Sequence, residues 1–302
     1  MGHKQFCGGA GEYGRDYCVQ DSPGKGVGVF ALRDFARGEK IMAERSLFGE
    51  IILLESSLFG DAVVTQQSGF GGVVVPPASQ AAVNQLLPVD GSVKDKIQLN
   101  SIAYDDKGIK GGLFVRMSRV NHHCLGNTEH YFVAKRGVMV LSASFVIKRG
   151  QEITFAYKGL ASVADFKHRR QNLEKAFDFD CACEVCTTAE LSSRILACLE
   201  RDDQIFKLIS MARMEQAIRV GTRQLAEYDA IGMPLIHYAR TYYDLFQAAI
   251  AKKQFVNQGR VFVRKSVEYM VMLSGEGNDD ESEQRLAYAE RPELHRNYLL
   301  CN

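Results

Sequence analysis

Asn121-His122-His123-Cys124 and Cys181-Ala182-Cys183-Glu184-Val185-Cys186 constrain this chain more than any other stretch of its sequence. The second is a C-x-C-x-x-C cluster. Three thiolates that close repel one another unless a cation neutralises them, and a tight turn brings all three sulfurs within reach of one ion. Zinc takes four ligands in a tetrahedron, with Zn–S near ~2.3 Å, and a structural site leaves no position open. The cluster supplies three ligands, so the fourth must come from elsewhere in the fold. Cys124 is the best candidate, with His122, His123 and Cys198 as competitors. Cys7, Cys18, Cys198 and Cys301 have no partner at metal-ligand spacing and read as small buried hydrophobes or inert surface thiols.

Composition sets the frame around these residues. The 302 residues carry 37 Lys plus Arg against 36 Asp plus Glu, a net charge of +1, so there is no overall basic field with which to wrap bulk nucleic acid. Charged residues at 24% and hydrophobics at 46% match an ordinary globular chain rather than a disordered one or a small disulfide knot. No apolar run reaches the ~18 residues that a membrane-spanning helix needs, so no membrane partner is expected. Met1-Gly2-His3-Lys4-Gln5-Phe6 lacks an apolar signal region, and Phe6 sits where a myristoylation signal carries Ser or Thr. These features predict an intracellular chain, in the nucleus and/or cytoplasm, whose eight cysteines point to metal or structural thiols before disulfides.

Outward from the cysteines, the first half reads as strands and the second as helices. Val27, Val29 and Ala31 alternate with Gly28, Phe30 and Leu32, and Lys40 to Leu47 and Glu50 to Glu55 add two more strand-like runs. Ser56 to Ser79 is rich in Gly, Ser and Pro and reads as a loop or insertion, followed by an interrupted helix from Ala81 to Leu99. Strand signals return at Leu113 to Met117. His130 to Ala134 and Val138 to Ser142 flank Lys135-Arg136-Gly137 as a hairpin, and Ile153 to Tyr157 closes the series. Ser162-Val163-Ala164-Asp165 resembles a capping box opening a helix to about Phe177. Leu235, Tyr238, Tyr242, Leu245 and Ala249 form one helical stripe, with Pro234 suited to the first turn, and Phe262, Tyr269 and Leu273 a second. The acidic Gly275 to Glu283 reads as a solvated loop.

Four segments in order now resemble a SET-domain protein lysine methyltransferase. They are Gly24-Lys25-Gly26-Val27-Gly28-Val29-Phe30-Ala31 with Gly38-Glu39-Lys40-Ile41; Ser118 to Asn127; Gly150-Gln151-Glu152-Ile153-Thr154-Phe155-Ala156-Tyr157; and Phe177-Asp178-Phe179-Asp180 running into the cysteine cluster, which is similar to a post-SET zinc element. The nearest likeness is to the SET- and MYND-type branch, including fungal SET proteins. No cysteine lies between Cys18 and Cys124, so the MYND finger of that branch is missing and the Gly-rich insertion occupies its place. The resemblance implies a mainly β SET domain of small curved sheets with a pseudoknot over residues 20–160, with an insertion at about 56–112. It further implies a post-SET helix and zinc cluster over 161–187 and a C-terminal α-helical region over 188–302.

It also implies roles. Lys25 and Gly26 would line an S-adenosylmethionine pocket, Asn100 would contact the cofactor's amino-acid end, and Ser118 would lie on the same wall. Asn121 and His122 would hydrogen-bond the adenosyl portion, and Phe179 would cover the adenine. Tyr157 would be the catalytic tyrosine, with Phe155 shaping the lysine channel. Cys124, Cys181, Cys183 and Cys186 would hold one zinc. The implied partner is a protein with an exposed lysine, a histone tail or a non-histone protein, and not a nucleic-acid sequence. His123 and Gly126 depart from the family's usual Ser and Pro. Gly126 is expected to loosen a turn that Pro would fix, and His123 to offer a competing zinc ligand. A rival expectation is a catalytically silent SET module acting as a protein-interaction scaffold; such modules tend to lose the tyrosine or the Asn-His pair, and this chain keeps both.

Overall fold

Apolar runs separated by turn residues build the first hairpin, β1 (Tyr17–Ser22) and β2 (Gly26–Ala31), paired antiparallel from Tyr17↔Ala31 to Ser22↔Gly26. The computed structural model describes residues 15–47, 51–54, 61–63, 75, 77–86, 88, 90–104, 110–157, 166–275 and 280–301. After the hairpin come β3 (Lys40–Glu44), β4 (Ile51–Leu54), β5 (Asp61–Val63), α1 (Gln80–Asn84), α2 (Val93–Asn100), β6 (Ser101–Ala103) and β7 (Lys110–Leu113). Next are β8 (Asn121–His122), β9 (Thr128–Val133), β10 (Val138–Ala143) and β11 (Glu152–Phe155). They form three small sheets, ordered β1-β2-β11-β8, β3-β10-β9 and β5-β4-β7-β6. Val29, Phe35, Met117, Leu141 and Ile153, each fully buried, fill the space between them.

The 130–142 hairpin has the expected form, in register from Val133↔Val138 to Thr128↔Ala143, with the turn through Ala134–Arg136 and Gly137. The interrupted helix resolves into α1 and α2, the latter opened by a capping box between Ser92 and Asp95. Other expectations need correction. The strand placed at Leu113 to Met117 ends at Leu113. Beyond it the Glu44 carboxylate accepts the N–H groups of Arg116 and Met117, which draws the chain into a 3₁₀ turn at Met117–Arg119 instead of a ladder. Within Ser56 to Ser79, otherwise largely outside the described residues, Asp61–Val63 is a strand paired with β4. The strand β1 is unannounced because its first three residues are all buried, which hides the period of two.

The second half is helical: α3 (Phe166–Phe177), α4 (Glu184–Thr187), α5 (Ala189–Ser210), α6 (Met214–Ile231), α7 (Leu235–Ile250), α8 (Val256–Ser274) and α9 (Asp280–Glu290). The capping box expected at Ser162 to Asp165 lies outside the described residues. The solvated loop does not extend to Glu283, because α9 begins at Asp280 and places acidic residues in its first turn, where the helix dipole favours them. Pro234 sits at the N-cap of α7, one position ahead of the expected first turn. The orphan N–H groups of Leu235 and Ile236 are satisfied from another layer: both donate to the Glu129 carboxylate on β9. Burial pushes the Glu129 carboxyl up, against the helix N-terminus and His237, which pull it down. The helices are fastened further where Ser142 Oγ donates to the Leu273 carbonyl at 3.1 Å and where the Arg37 guanidinium lies over the rings of Tyr238 and Tyr269. Among the described residues no helix is long and apolar enough to cross a membrane.

Candidate active site and metal centre

The parallel pairing of β8 with β11, Thr154↔Asn121 and Phe155↔His122, is the local event from which the site grows. It lays the Asn-His-His-Cys segment beside the strand that ends in Tyr157, and points Cys124 toward the turn after α3. There Cys124 Sγ lies 3.9 Å from Cys181 Sγ and 3.4 Å from Cys186 Sγ, and the sulfurs of Cys124, Cys181, Cys183 and Cys186 all lie within 4.8 Å of one another. Four thiolates on a tetrahedral zinc at ~2.3 Å stand about 3.8 Å apart. The donor set therefore fits the metal in number, chemistry and spacing. Hydrogen bonds from the Cys124 thiol push Cys181 and Cys183 down, and the same contact with Cys181 pushes Cys124 up. Cys183 opens the single turn α4, whose backbone bonds bring Cys186 back toward the centre.

The competing ligands have other occupations. His123 Nδ1 accepts the N–H groups of Leu125 and Gly126 at 3.3 and 3.2 Å, which makes it the cap of a turn rather than a metal ligand. Gly126 in that turn has φ +65°, and a Cβ there would lie 2.8 Å from Phe155 Cα. Proline is confined to φ near about −65°. The expected loosening is thus a tight left-handed turn that His123 and Gly126 make together. Cys198 is buried in α5 with Arg201 Nη2 3.5 Å from its sulfur, outside the metal group.

Around Tyr157 stands an aromatic group. Its ring centroid is 4.9 Å from that of Phe177, 5.2 Å from His122, 5.4 Å from Phe155 and 6.3 Å from Phe179. The Tyr157 hydroxyl donates to the Val120 carbonyl at 2.9 Å, and burial, with a lesser push from the Glu152 charge, raises its pKa to about 12. His122 Nδ1 accepts the Tyr157 N–H at 3.1 Å and Nε2 lies 3.3 Å from Cys124 Sγ. Both ring nitrogens of His122 are thereby committed within the protein, linking the tyrosine to the cysteines. Behind Phe155, the ring of His130 packs edge-on at 5.0 Å, and burial lowers its pKa to about 4.

On the other side of β8, the Asn121 amide donates to the Val27 carbonyl at 2.9 Å and to Glu152 Oε1 at 2.7 Å. Lys25 Nζ reaches Glu152 Oε2 at 3.0 Å. At Gly24 and Gly26, both at φ +76°, a Cβ would meet nothing within 4 Å, so the loop turns an open backbone face outward. Lys25, Gly26, Asn121, His122, Phe155, Tyr157 and Phe179 thus belong to one connected neighbourhood. Asn100 and Ser118 are held in their own turns: Asn100 Nδ2 donates to the Lys96 carbonyl at 2.7 Å and Ser118 Oγ to the Val115 carbonyl at 2.9 Å. Sequence reasoning missed Glu152, Ser22 and Phe177. Glu152 lies inside a quoted segment, but nothing local reveals that its side chain reaches back to the first hairpin.

Residues 26–158 match the family model described as the SET domain. That stretch carries a SET domain, and the chain is similar in sequence to protein lysine methyltransferases. It is similar to histone-lysine N-methyltransferase set5 of Schizosaccharomyces pombe, 26% identical over 202 residues that cover 65% of this chain and 61% of that protein. It is also similar to protein-lysine N-methyltransferase SMYD4 of Homo sapiens, 36% identical over 90 residues, 29% of this chain and 11% of the relative. The chain therefore spans less than two thirds of the length of these relatives. Among solved structures, a chain of the Chaetomium thermophilum polycomb repressive complex 2 aligns over 94% of this chain and 33% of its own, with 14% identity and a TM-score of 0.29.

Proposed function

We propose that this protein is an S-adenosylmethionine-dependent protein lysine N-methyltransferase with one structural zinc, acting on an exposed lysine of a histone or non-histone protein in the nucleus and/or cytoplasm. The observation that carries the reading is Tyr157, whose hydroxyl is fixed on the Val120 carbonyl within an aromatic group at the end of β11. We read residues 20–160 as the catalytic domain, 161–187 as the zinc element and 188–302 as a helical region behind it.

S-adenosylmethionine, when bound, supplies an electrophilic methyl group on a sulfonium. Lys25 and Gly26 would hold it along the open face of the loop. Asn121 would contribute its side-chain oxygen, since both amide hydrogens are already used. The committed imidazole of His122 leaves its main chain for the ligand, and Phe179 would cover the adenine. Asn100 and Ser118 would complete the wall. A free lysine has a pKa of ~10.4 and is protonated at neutral pH. The apolar rings of Phe155, Tyr157 and Phe177 disfavour an ammonium and so favour the neutral, nucleophilic amine. Tyr157, with its pKa raised to about 12, keeps its own proton and orients the reacting groups instead of acting as the base. The four cysteines would hold the zinc that fastens the Phe179 segment to β8.

Incubation of the purified chain with labelled cofactor and a panel of histones and lysate proteins tests the proposal. Transfer to lysine is expected; cofactor binding with no transfer to any protein would establish the silent scaffold. Phe155 lacks the hydroxyl that would hold water in the lysine channel, which leaves room for a bulkier amine. We therefore expect a capacity for di- or trimethylation, with Phe155→Tyr shifting the product toward lower methylation by mass spectrometry. Trimethyl product as abundant as in wild type would refute that assignment.

A further inference from the structure

Glu152 is the first residue of β11, where that strand pairs antiparallel with β2 (Glu152↔Phe30) just before it pairs in parallel with β8. From this junction one carboxylate collects three donors, two from the turn of the first hairpin and one from β8. Oε1 accepts from Ser22 Oγ at 2.8 Å and from Asn121 Nδ2 at 2.7 Å, and Oε2 accepts from Lys25 Nζ at 3.0 Å. The backbone has made room for it: a Cβ at Gly28 would lie 2.4 Å from Glu152 Oε1 and 2.8 Å from Asn121 Nδ2. Burial alone would raise the Glu152 pKa, but the donors Asn121, Ser22 and Lys25 outweigh it and hold the carboxyl below its usual range.

An ionised carboxylate only accepts. Placed against Asn121, it dictates which end of that amide points inward. The NH₂ is held between Glu152 and the Val27 carbonyl, and the oxygen is left to face away from both acceptors. The same carboxylate fixes the Gly24–Gly28 loop through Ser22 and Lys25 on either side of its turn. We infer that Glu152 is a positioning residue for the methyl-donor pocket: it sets the orientation of the Asn121 amide and locks the glycine loop against it. The inference rests on the methyltransferase reading above. Glutamine at this position keeps the shape but can donate as well as accept, so it no longer specifies the amide's orientation.

The test is calorimetric titration of S-adenosylmethionine into the full chain, for wild type, Glu152→Gln, Asn121→Ala and the double variant. Loss of a charge-assisted hydrogen bond predicts that Glu152→Gln weakens binding on the order of tenfold. Because the orienting part of the effect passes through Asn121, the double variant loses clearly less than the sum of the two single losses. A residue that merely supported the fold would give losses that add. Unchanged affinity in Glu152→Gln, or additive losses in the double variant, overturns the inference. Where Glu152→Gln does not fold, Ser22→Ala removes one donor and keeps the charge; it should weaken binding about threefold, and unchanged affinity there overturns the inference too. A folded wild type that binds no cofactor sinks the methyltransferase reading itself, which separates that failure from failure of the clamp.

Discussion

The β8 segment is tied down at both of its ends, and the two ties are of opposite kinds. At Cys124 four sulfurs crowd within 4.8 Å, a group that only a cation can render stable when the thiols ionise. At Asn121 a carboxylate meets a hydroxyl, an amide and an ammonium, and every partner is already in the chain. The first tie, if it holds the proposed zinc, takes an ion from outside; its sulfurs come from segments far apart in sequence, from Cys124 to Cys186. The second is complete in itself. Between them His122 connects Tyr157 to the cysteine side. A site built in this way connects its tyrosine to the cysteine group and its glycine loop to the carboxylate.

Removing the metal tie should have the largest effect. Structural zinc contributes about 10–16 kcal/mol in zinc-finger peptides, comparable to the ~5–15 kcal/mol net stability of a whole protein. Cys186→Ser should lower zinc content from one per chain to near zero by elemental analysis and abolish methyl transfer. Full zinc retention would show that the thiols are not a metal centre.

The carboxylate tie should fail more gently. Gly28→Ala drives a methyl into Glu152 and Asn121. Overpacking of this kind costs about 1–3 kcal/mol, to be read from the denaturant midpoint, with cofactor affinity falling in parallel. A midpoint equal to wild type would mean that the carboxylate moves aside freely.

Tyr157 lies between the two ties, and its titration sharpens the contrast. Its folded pKa is raised from 10.0 to about 12, by burial first and then by the Glu152 charge. A raised pKa contributes stability that is fully present below the unfolded value of 10.0 and lost as pH climbs through about 12. The ultraviolet difference between wild type and Tyr157→Phe should therefore show no phenolate step below about pH 11. A step near 10 would place the hydroxyl in water. The smallest effect is expected at Lys25, whose side chain is 45% exposed in its ion pair with Glu152. Lys25→Met should alter stability by no more than about 0.5 kcal/mol in chemical denaturation. A larger loss would assign to the ammonium a share of the tie that its exposure does not support.

The cysteine group was legible in the sequence and the carboxylate tie was not, for a physical reason. Three cysteines at C-x-C-x-x-C spacing repel one another as thiolates unless a cation neutralises them, and the shortage of one ligand directs attention to Cys124. Glu152 bears no such mark. A glutamate at the start of a strand is usually solvated, and only the pairing of β11 with both β2 and β8 turns it inward. The same holds for Glu129, which is ordinary on β9 and becomes the acceptor for the first turn of α7 once the helices dock. His123 and Gly126 show the converse. As sequence they were departures from a pattern; in three dimensions they make one turn, because φ +65° and the close approach of Phe155 leave room only for glycine.

Local periodicity was enough for the β-then-helical layout and thiol chemistry for the cysteine set, because neither depends on fold, while the order of the four segments carried the SET resemblance. The tertiary structure decided which groups are spent and which remain for a ligand: the His122 ring committed to Tyr157 and Cys124, the Asn121 amide turned by Glu152, the Tyr157 hydroxyl held on Val120. Hydrogen-bond partners distant in sequence exist only after the strands have paired, and those partners determine what a side chain has left to offer.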